Sequence, residues 1–245
     1  AAARHAPPQG DFLSRRTLAP RRTLPRALGS WALDSGAFSE IRLNGRWQVP
    51  AKAYVAEVQR FARDIGQMEW AAIQDWMCEP DMIKKTGLSV AQHQSLTIEN
   101  YARLLDIAPE IPWVPVLQGW SFSDYLRCLD GYQRRNLPLA DRSVGVGSIC
   151  RRGREKEAAG IVSGLAIQSG LSLHGFGMKL LALKRAGEYL ASADSMAWSY
   201  NARRQPALPG HSHQHCSNCV LWALRWRDRL LASLSVNPRQ QGVFS

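Results

Sequence analysis

The chain has 245 residues, of which 45% are hydrophobic, so it can bury a core as one α/β barrel or as two small domains. Its net charge of +11 is typical of proteins that bind polyanions, most often nucleic acid, although a basic surface that only aids solubility is the alternative. No apolar run approaches the roughly 20 residues of a membrane span. Five scattered cysteines favour a reduced, cytoplasmic protein over a disulfide framework.

The first predicted segment is a basic, proline-rich arm over residues 1–30, in which only residues 11–18 could hold a short first strand. This arm could face phosphates or could simply be solvated. We expect residues 31–245 to form a single domain that carries a metal site at residues 211–219.

From residue 31 onward, apolar runs of strand length alternate with stretches in which apolar residues repeat at helical spacing. The predicted strands are 31–33, 70–73, 113–117, 144–149, 171–173 and 192–198. Helical spacing occurs over 54–65, 98–105, 125–132, 180–190 and 221–234. This alternation predicts βαβ units and a parallel sheet.

The ends of the predicted strands carry polar or small residues. They are Asp34, Asp75, Gln118, Gly147, His174 and Asp194. Such residues converge on one face of a barrel, whereas an open sheet concentrates them at one crevice. The sequence therefore favours a (β/α)8 TIM-type barrel, and the open doubly wound sheet is the alternative.

Asp34 is the clearest candidate for chemistry, because an apolar run ends at this carboxylate and a Ser-Gly turn follows. Asp-Ser-Gly is also ordinary turn chemistry, so this signal gains weight from Asp194, a second aspartate in a similar setting.

Two further strand-end residues also have simpler, structural interpretations. Asp75 could be a buried acid paired with an arginine, and Gln118 could be an ordinary polar residue at a strand end.

A dense group of metal-binding residue types occurs in His211-Ser-His213-Gln-His215-Cys216-Ser-Asn-Cys219. It offers at least four imidazole or thiol ligands within nine residues, which suits tetrahedral zinc. With four ligands no position remains for water, so we expect a structural zinc-binding loop, followed by a C-terminal helix. The alternative is a redox Cys-x-x-Cys with incidental histidines.

Six segments, in the same chain order, resemble motifs of the tRNA-guanine transglycosylases. They are Asp34-Ser-Gly-Ala-Phe38, Ile73-Gln-Asp75, Val116-Leu-Gln118-Gly119, Val146-Gly147-Ser148, Leu173-His174-Gly-Phe-Gly177 and Ser192-Ala-Asp194-Ser195. The short chain, the Arg-Arg-Thr-Leu-Pro-Arg segment before Asp34 and the His/Cys cluster most resemble the DpdA branch. Members of that branch exchange guanine in DNA for a 7-deazaguanine.

The resemblance implies a base exchange in which Asp194 is the nucleophile and Asp34 manages protons. The residues that it assigns to the guanine edge are Asp75, Gln118, Gly147 and Ser148, and those that it assigns to the base faces are Phe38 and His174. For zinc it implies His211, His213 and Cys216, with Cys219 replacing a more distant family ligand and His215 left over. Ala37 departs from the family's glycine.

The expected partners are DNA and a 7-deazaguanine base such as 7-cyano-7-deazaguanine, with room for accessory DNA-modification proteins and for a homodimer, and with no membrane. Arginines are available for phosphates, and the candidates are Arg151, Arg152, Arg203 and Arg204. The target base must be flipped or single-stranded. The same exchange on tRNA, and a non-enzymatic zinc-containing nucleic-acid-binding protein, are the alternatives.

Overall fold

The computed structural model describes residues 11–152 and 155–234. Its contacts divide the chain into two compact units, a first unit of residues 1–148 and a second unit of residues 149–244. Residues 1–10 of the predicted arm lie outside the described residues. None of the described helices is long and apolar enough to cross a membrane.

The first unit alternates strands with helices. Its strands are β1 (Asp11–Ser14), β2 (Trp31–Asp34), β3 (Met68–Ala72), β4 (Trp113–Val114), β5 (Val116–Leu117) and β6 (Ser143–Val146). Its helices are α1 (Arg15–Leu18), α2 (Ala37–Asn44), α3 (Ala51–Ile65), α4 (Pro80–Thr86), α5 (Val90–Ile107) and α6 (Phe122–Arg134). This order is the predicted β–α alternation.

The second unit is mostly helical. Its helices are α7 (Glu155–Ser169), α8 (Leu180–Ala186), α9 (Ala197–Ala202) and α10 (Val220–Leu234), with a 3-10 turn at Gly187–Tyr189. Its strands are β7 (Ser172–Gly175) and β8 (Ser192–Ala193). The amphipathic helix predicted after the His/Cys cluster is α10.

All the strand pairs within each unit are parallel. In the first unit β1, β2, β3 and β4 pair in chain order, and β5 pairs with β6. In the second unit β7 pairs with β8. These pairings confirm the α/β fold with parallel sheets, and they do not by themselves close a barrel.

The core of the first unit follows from the pattern of apolar residues. Leu33, Ala71 and Val116 are fully buried, as expected for parallel strands that are covered on both faces. Helix α3 buries Tyr54, Val58 and Phe61, which recur at helical spacing and so lie on one stripe of the helix. The strand ends are therefore held on a packed framework.

Two predicted strands differ from the observed ones in more than their bounds. The run 113–117 is interrupted at Pro115, which has no N–H for a sheet ladder, and so it forms β4 and β5. The run 192–198 is a strand only at Ser192–Ala193, because Ala197 begins α9. Ser195 accepts a hydrogen bond from the Ala197 N–H at 3.3 Å, which turns the chain out of the strand.

Candidate active site and metal centre

Asp34 ends β2 and is half-buried. It lies opposite Ser14 in the register of the β1–β2 pair. The turn that follows needs Gly36, whose φ of +77° is left-handed and whose missing Cβ leaves room for the Arg16 stem, 3.0 Å from the Cβ position. Phe38 comes two residues later on α2, with the Arg42 guanidinium 5.7 Å from its ring centre.

A buried hydrogen-bond network links Asp75, Gln118 and Ser148. The Gln118 side-chain amide donates from Nε2 to Asp75 Oδ2, and its Oε1 lies 2.7 Å from the Ser148 hydroxyl. Ser148 Oγ also accepts the Cys78 backbone N–H at 2.8 Å and lies 2.8 Å from Glu79 Oε2. The first unit thus brings these three predicted base-binding residues together, and we call them the Asp75–Gln118–Ser148 network.

Gln118 is fixed by its backbone as well as by its side chain. Its carbonyl accepts a hydrogen bond from Gln94 Nε2 at 2.6 Å, and its N–H donates to Cys128 Sγ at 3.4 Å. Gly147 packs directly on the amide, since a Cβ there would lie 2.2 Å from Gln118 Nε2. The Gly147 carbonyl accepts from the Tyr125 hydroxyl at 2.7 Å. The backbone and the side-chain amide of Gln118 are therefore both held in place by contacts within the protein.

Burial raises the pKa of Asp75 to about 7, and the nearby Asp34 carboxylate adds to the rise, while the Gln118 hydrogen bond opposes it. Burial also raises the pKa of Tyr54, with a further contribution from Asp34, and its hydroxyl donates to the Ala72 carbonyl at 2.6 Å. The first unit therefore holds two neighbouring carboxyl groups in different environments.

In the second unit His174 and Asp194 lie together. His174 Nε2 is 3.3 Å from Asp194 Oδ1, and the Gly177 N–H donates to the same oxygen at 2.9 Å. The imidazole is 1% exposed, its Nδ1 lies 2.7 Å from Ser192 Oγ, and its ring meets Phe176 edge-on at 4.7 Å. Both ring nitrogens are thus engaged by neighbouring protein groups.

The four candidate phosphate-binding arginines differ in exposure. Arg203 and Arg204 are exposed just beyond α9, and the Arg204 guanidinium stacks 4.1 Å over the Tyr200 ring. Arg151 is exposed as well. Arg152 is buried and ion-paired with Glu157, an environment that does not suit a contact with a nucleic-acid phosphate.

The His/Cys loop forms a compact group of four donor atoms, all within 4.8 Å of one another: His211, His213, Cys216 and Cys219. His211 Nδ1 lies 3.2 Å from His213 Nε2, which lies 3.0 Å from Cys216 Sγ. Ligands at zinc–nitrogen and zinc–sulfur distances of about 2.0 and 2.3 Å in a tetrahedron have similar separations. This donor set therefore fits one metal ion.

The surroundings of the four donors also suit a metal. Cys216 is buried against Ala202 and Trp222, and its Sγ accepts the Leu208 N–H at 3.3 Å. Such a hydrogen bond to a ligand sulfur is the kind of outer contact that orients a metal ligand. His215 lies outside the four, with its Nδ1 2.9 Å from Ser217 Oγ.

Three residues at these sites were not identified from the sequence. Glu79 contacts Ser148, and Ser192 and Gly177 contact the His174–Asp194 pair. Ser192 could have been found, because residues two apart on a strand point to the same face and Asp194 follows it by two. Glu79 and Gly177 lie in loops whose paths the sequence does not specify.

Taken together, the chain is an α/β protein with carboxylates at its strand ends, a buried amide–carboxylate network and a four-donor metal cluster. The family model described as DpdA, DeoxyPurine in DNA protein A, matches residues 7–243, nearly the whole chain. The chain therefore belongs to the DpdA family, which confirms the resemblance found in the sequence. A comparison with curated proteins gave no match.

Proposed function

We propose that the protein is a transglycosylase that replaces guanine in DNA with a 7-deazaguanine. The family match over residues 7–243 carries this proposal, because the description of that family names a deoxypurine in DNA. The buried Asp75–Gln118–Ser148 network supports it, because such a network can read the polar edge of a purine.

Guanine presents an oxygen acceptor next to ring and amino N–H donors on its pairing edge. The Asp75 carboxylate would accept the N–H groups, and the Gln118 amino group would donate to the oxygen, since the Gln118 oxygen already faces Ser148. The Gly147 and Ser148 backbone would complete this edge, and Phe38 would stack on the base. A 7-deazaguanine keeps the same edge, so one site can accept both bases.

The exchange itself would take two displacements at C1′ of the sugar. One carboxylate oxygen of Asp194 attacks C1′, the C1′–N9 bond breaks, and guanine leaves with the bonding electrons while Asp34 supplies a proton. Asp34 then takes the N9 proton of the incoming base. N9 attacks C1′, the C1′–oxygen bond to Asp194 breaks, and the carboxylate is restored. The DNA backbone stays intact throughout.

Within this proposal the metal is a structural Zn²⁺ ion held by His211, His213, Cys216 and Cys219. The donor set supports that identity, since two imidazoles and two thiolates leave no open position for water. We also propose that residues 31–245 form one transglycosylase domain with a (β/α)8 barrel, preceded by the basic arm of residues 1–30.

The DNA backbone would bind Arg203 and Arg204, with Arg151 as a further contact, while the target nucleotide is flipped or single-stranded. An enzyme that acts on chromosomal or invading DNA would work in the cytoplasm. The proposed partners are DNA, a free 7-deazaguanine base, DNA-modification proteins that help to open the duplex, and a second copy of the chain.

The test is incorporation of labelled guanine and of labelled 7-cyano-7-deazaguanine into single-stranded DNA, duplex DNA and tRNA. Mass spectrometry of nucleosides, after expression with and without the chain, gives the matching result in cells. Incorporation into DNA supports the proposal. Incorporation into tRNA alone overturns the DNA assignment. Tight DNA binding without incorporation, even with accessory proteins present, favours a non-enzymatic binding protein.

A further inference from the structure

The β7–β8 pair sets His174 opposite Ser192 in register. Asp194 follows Ser192 by two residues, and its backbone is tied to the β7 end through Asp194 N–H to the Gly175 carbonyl at 3.3 Å. The Met178 N–H donates to the Asp194 carbonyl at 3.0 Å. These bonds fix the main chain at Asp194, so only rotation of the carboxylate about its own side-chain bonds remains to be controlled.

The hydrogen bonds of His174 determine its tautomer. A carboxylate oxygen can only accept, so Nε2 must carry the proton that bridges the 3.3 Å to Asp194 Oδ1. In the neutral ring Nδ1 is then an acceptor, and the Ser192 hydroxyl donates to it at 2.7 Å. Ser192 therefore selects the tautomer that His174 needs in order to hold Asp194.

The two oxygens of Asp194 are held unequally. Oδ1 receives the His174 donor and the Gly177 N–H, the latter at 2.9 Å from a glycine with a left-handed φ of +60°. Among residues 11–152 and 155–234, Oδ2 accepts no hydrogen bond. The Asp194 side chain is 16% exposed, so part of it is open to solvent, and Oδ2 is the oxygen that no described residue holds.

We propose that His174 and Ser192 position the nucleophile, so that Oδ2 of Asp194 is the oxygen that attacks C1′. This inference rests on the proposed function. Two donors on Oδ1 stop the carboxylate from rotating, and an oriented nucleophile needs less reorganisation to reach the transition state. His174 is thus a positioning residue that acts through Asp194, rather than a stacking surface for the base.

A purely structural role for His174 makes a different prediction. The ring packs edge-on against Phe176, and His174→Phe would keep an aromatic ring there while removing both nitrogens. If packing were the only role, this variant would keep its turnover. If the ring stacked on the base, the variant would change the KM for the base and leave kcat nearly intact.

The experiment measures kcat and KM for base exchange on a single-stranded oligonucleotide. For His174→Phe we expect kcat to fall about 10- to 100-fold with KM nearly unchanged. His174→Gln should recover most of kcat, because its amide N–H can reach the position of Nε2. His174→Asn should not, because its shorter side chain reaches only toward Ser192. Ser192→Ala should lower kcat less, about 3- to 10-fold, because it removes only the hydrogen bond that selects the tautomer of His174.

Several outcomes overturn the inference. They are unchanged kcat in His174→Phe, a change confined to KM, or equal activity of the Gln and Asn variants. The Gln–Asn comparison decides the question if His174→Phe does not fold. ¹⁵N NMR of the wild-type imidazole is independent of activity, and a proton found on Nδ1 rather than Nε2 of the neutral ring overturns the assignment. If the wild-type protein shows no base exchange, the proposed function is overturned instead. If the wild type is active and Asp194→Ala is inactive, the proposed function stands and the His174 variants test this inference alone.

Discussion

Asp75 in the first unit and Asp194 in the second are both strand-end aspartates, but their surroundings differ. Asp75 is buried, accepts a hydrogen bond from a neutral amide, and has a pKa raised to about 7 by burial. Asp194 is partly exposed and receives an imidazole and a backbone N–H on one oxygen. In the proposed exchange, the same type of side chain would serve two tasks because its surroundings differ. The buried Asp75 would recognise the base, and the partly exposed, oriented Asp194 would attack the sugar.

The strongest test of this comparison is removal of the exposed carboxylate. Asp194→Ala should lower the rate of base exchange at least about 1,000-fold, because the covalent route loses its nucleophile. Activity is measured by label incorporation, and folding by circular dichroism. Retention of more than about a tenth of the wild-type turnover would contradict the assignment. Asp34→Asn should slow both displacements, because Asp34 supplies a proton in the first and takes one in the second, and the same label incorporation measures this loss.

The next largest expected effect is that of disrupting the four donor residues of the His/Cys loop, which belongs to the same unit as Asp194. Purified protein should contain one zinc ion per chain, and Cys216→Ser should lower the melting temperature by about 5–15 °C, because metal binding contributes to folding. Elemental analysis and thermal melting measure these effects. His215→Ala is the matched control and should keep its metal. Protein purified without chelators that lacks stoichiometric metal would refute this prediction.

The environment of Asp75 predicts an unusual pH dependence of stability. Folding raises its pKa from 3.8 to about 7, so the folded chain keeps a proton that the unfolded chain loses. The stability that this proton contributes is fully present below pH 3.8 and is lost as the pH rises through 7. Asp75→Asn should therefore be close to the wild type in stability near pH 4 and exceed it at pH 8, by up to about 4 kcal/mol.

Urea unfolding of both proteins across that pH range measures the difference. Asp130→Asn is the control, because Asp130 is a half-exposed carboxylate paired with Arg134 and lies outside the buried network. The Asp75→Asn variant should also lose base exchange, since an amide cannot accept both guanine N–H groups. A stability difference that is constant with pH would mean that Asp75 titrates normally.

The smallest effect is expected at the exposed arginines. Arg203→Ala and Arg204→Ala should each weaken DNA binding several-fold and lower the slope of log Kd against log salt by about 1. Fluorescence anisotropy at several salt concentrations measures both. Arg152→Lys, at the buried position, should leave the slope unchanged. Equal effects at the buried and exposed arginines would argue against a direct contact with phosphates.

The sequence predicted the strand ends well, because an apolar run that stops at a polar residue is a local signal. Asp34 ends β2 as expected, and Asp75 and Gln118 lie just beyond β3 and β5. The Asp75–Gln118 hydrogen bond could not be predicted, since it joins two residues that are 43 positions apart and depends on the path of the chain between them. Likewise, the cluster of four donor residues could be predicted because its members lie within nine residues of one another.

The predictions of secondary structure failed at a local turn and at short helices. Residues 192–198 looked like one strand, but the Ser195 side chain turns the chain and Ala197 begins a helix. Helices α2 and α4 were not predicted, because each has only seven or eight residues and a weak apolar stripe. The role of His174 toward the base stays a prediction, but its contacts with Ser192 and Asp194 could not be predicted, since they depend on the β7–β8 register.

The absence of a side chain at Gly147 limits which residues evolution can place at positions 147 and 118. A methyl group there would overlap the Gln118 side chain at three of its atoms, the closest at 2.2 Å. Any relative with a larger residue at this position must carry a shorter or redirected side chain at position 118. The two positions should therefore covary across the family, and lineages that have changed both should prefer a base with a different polar edge.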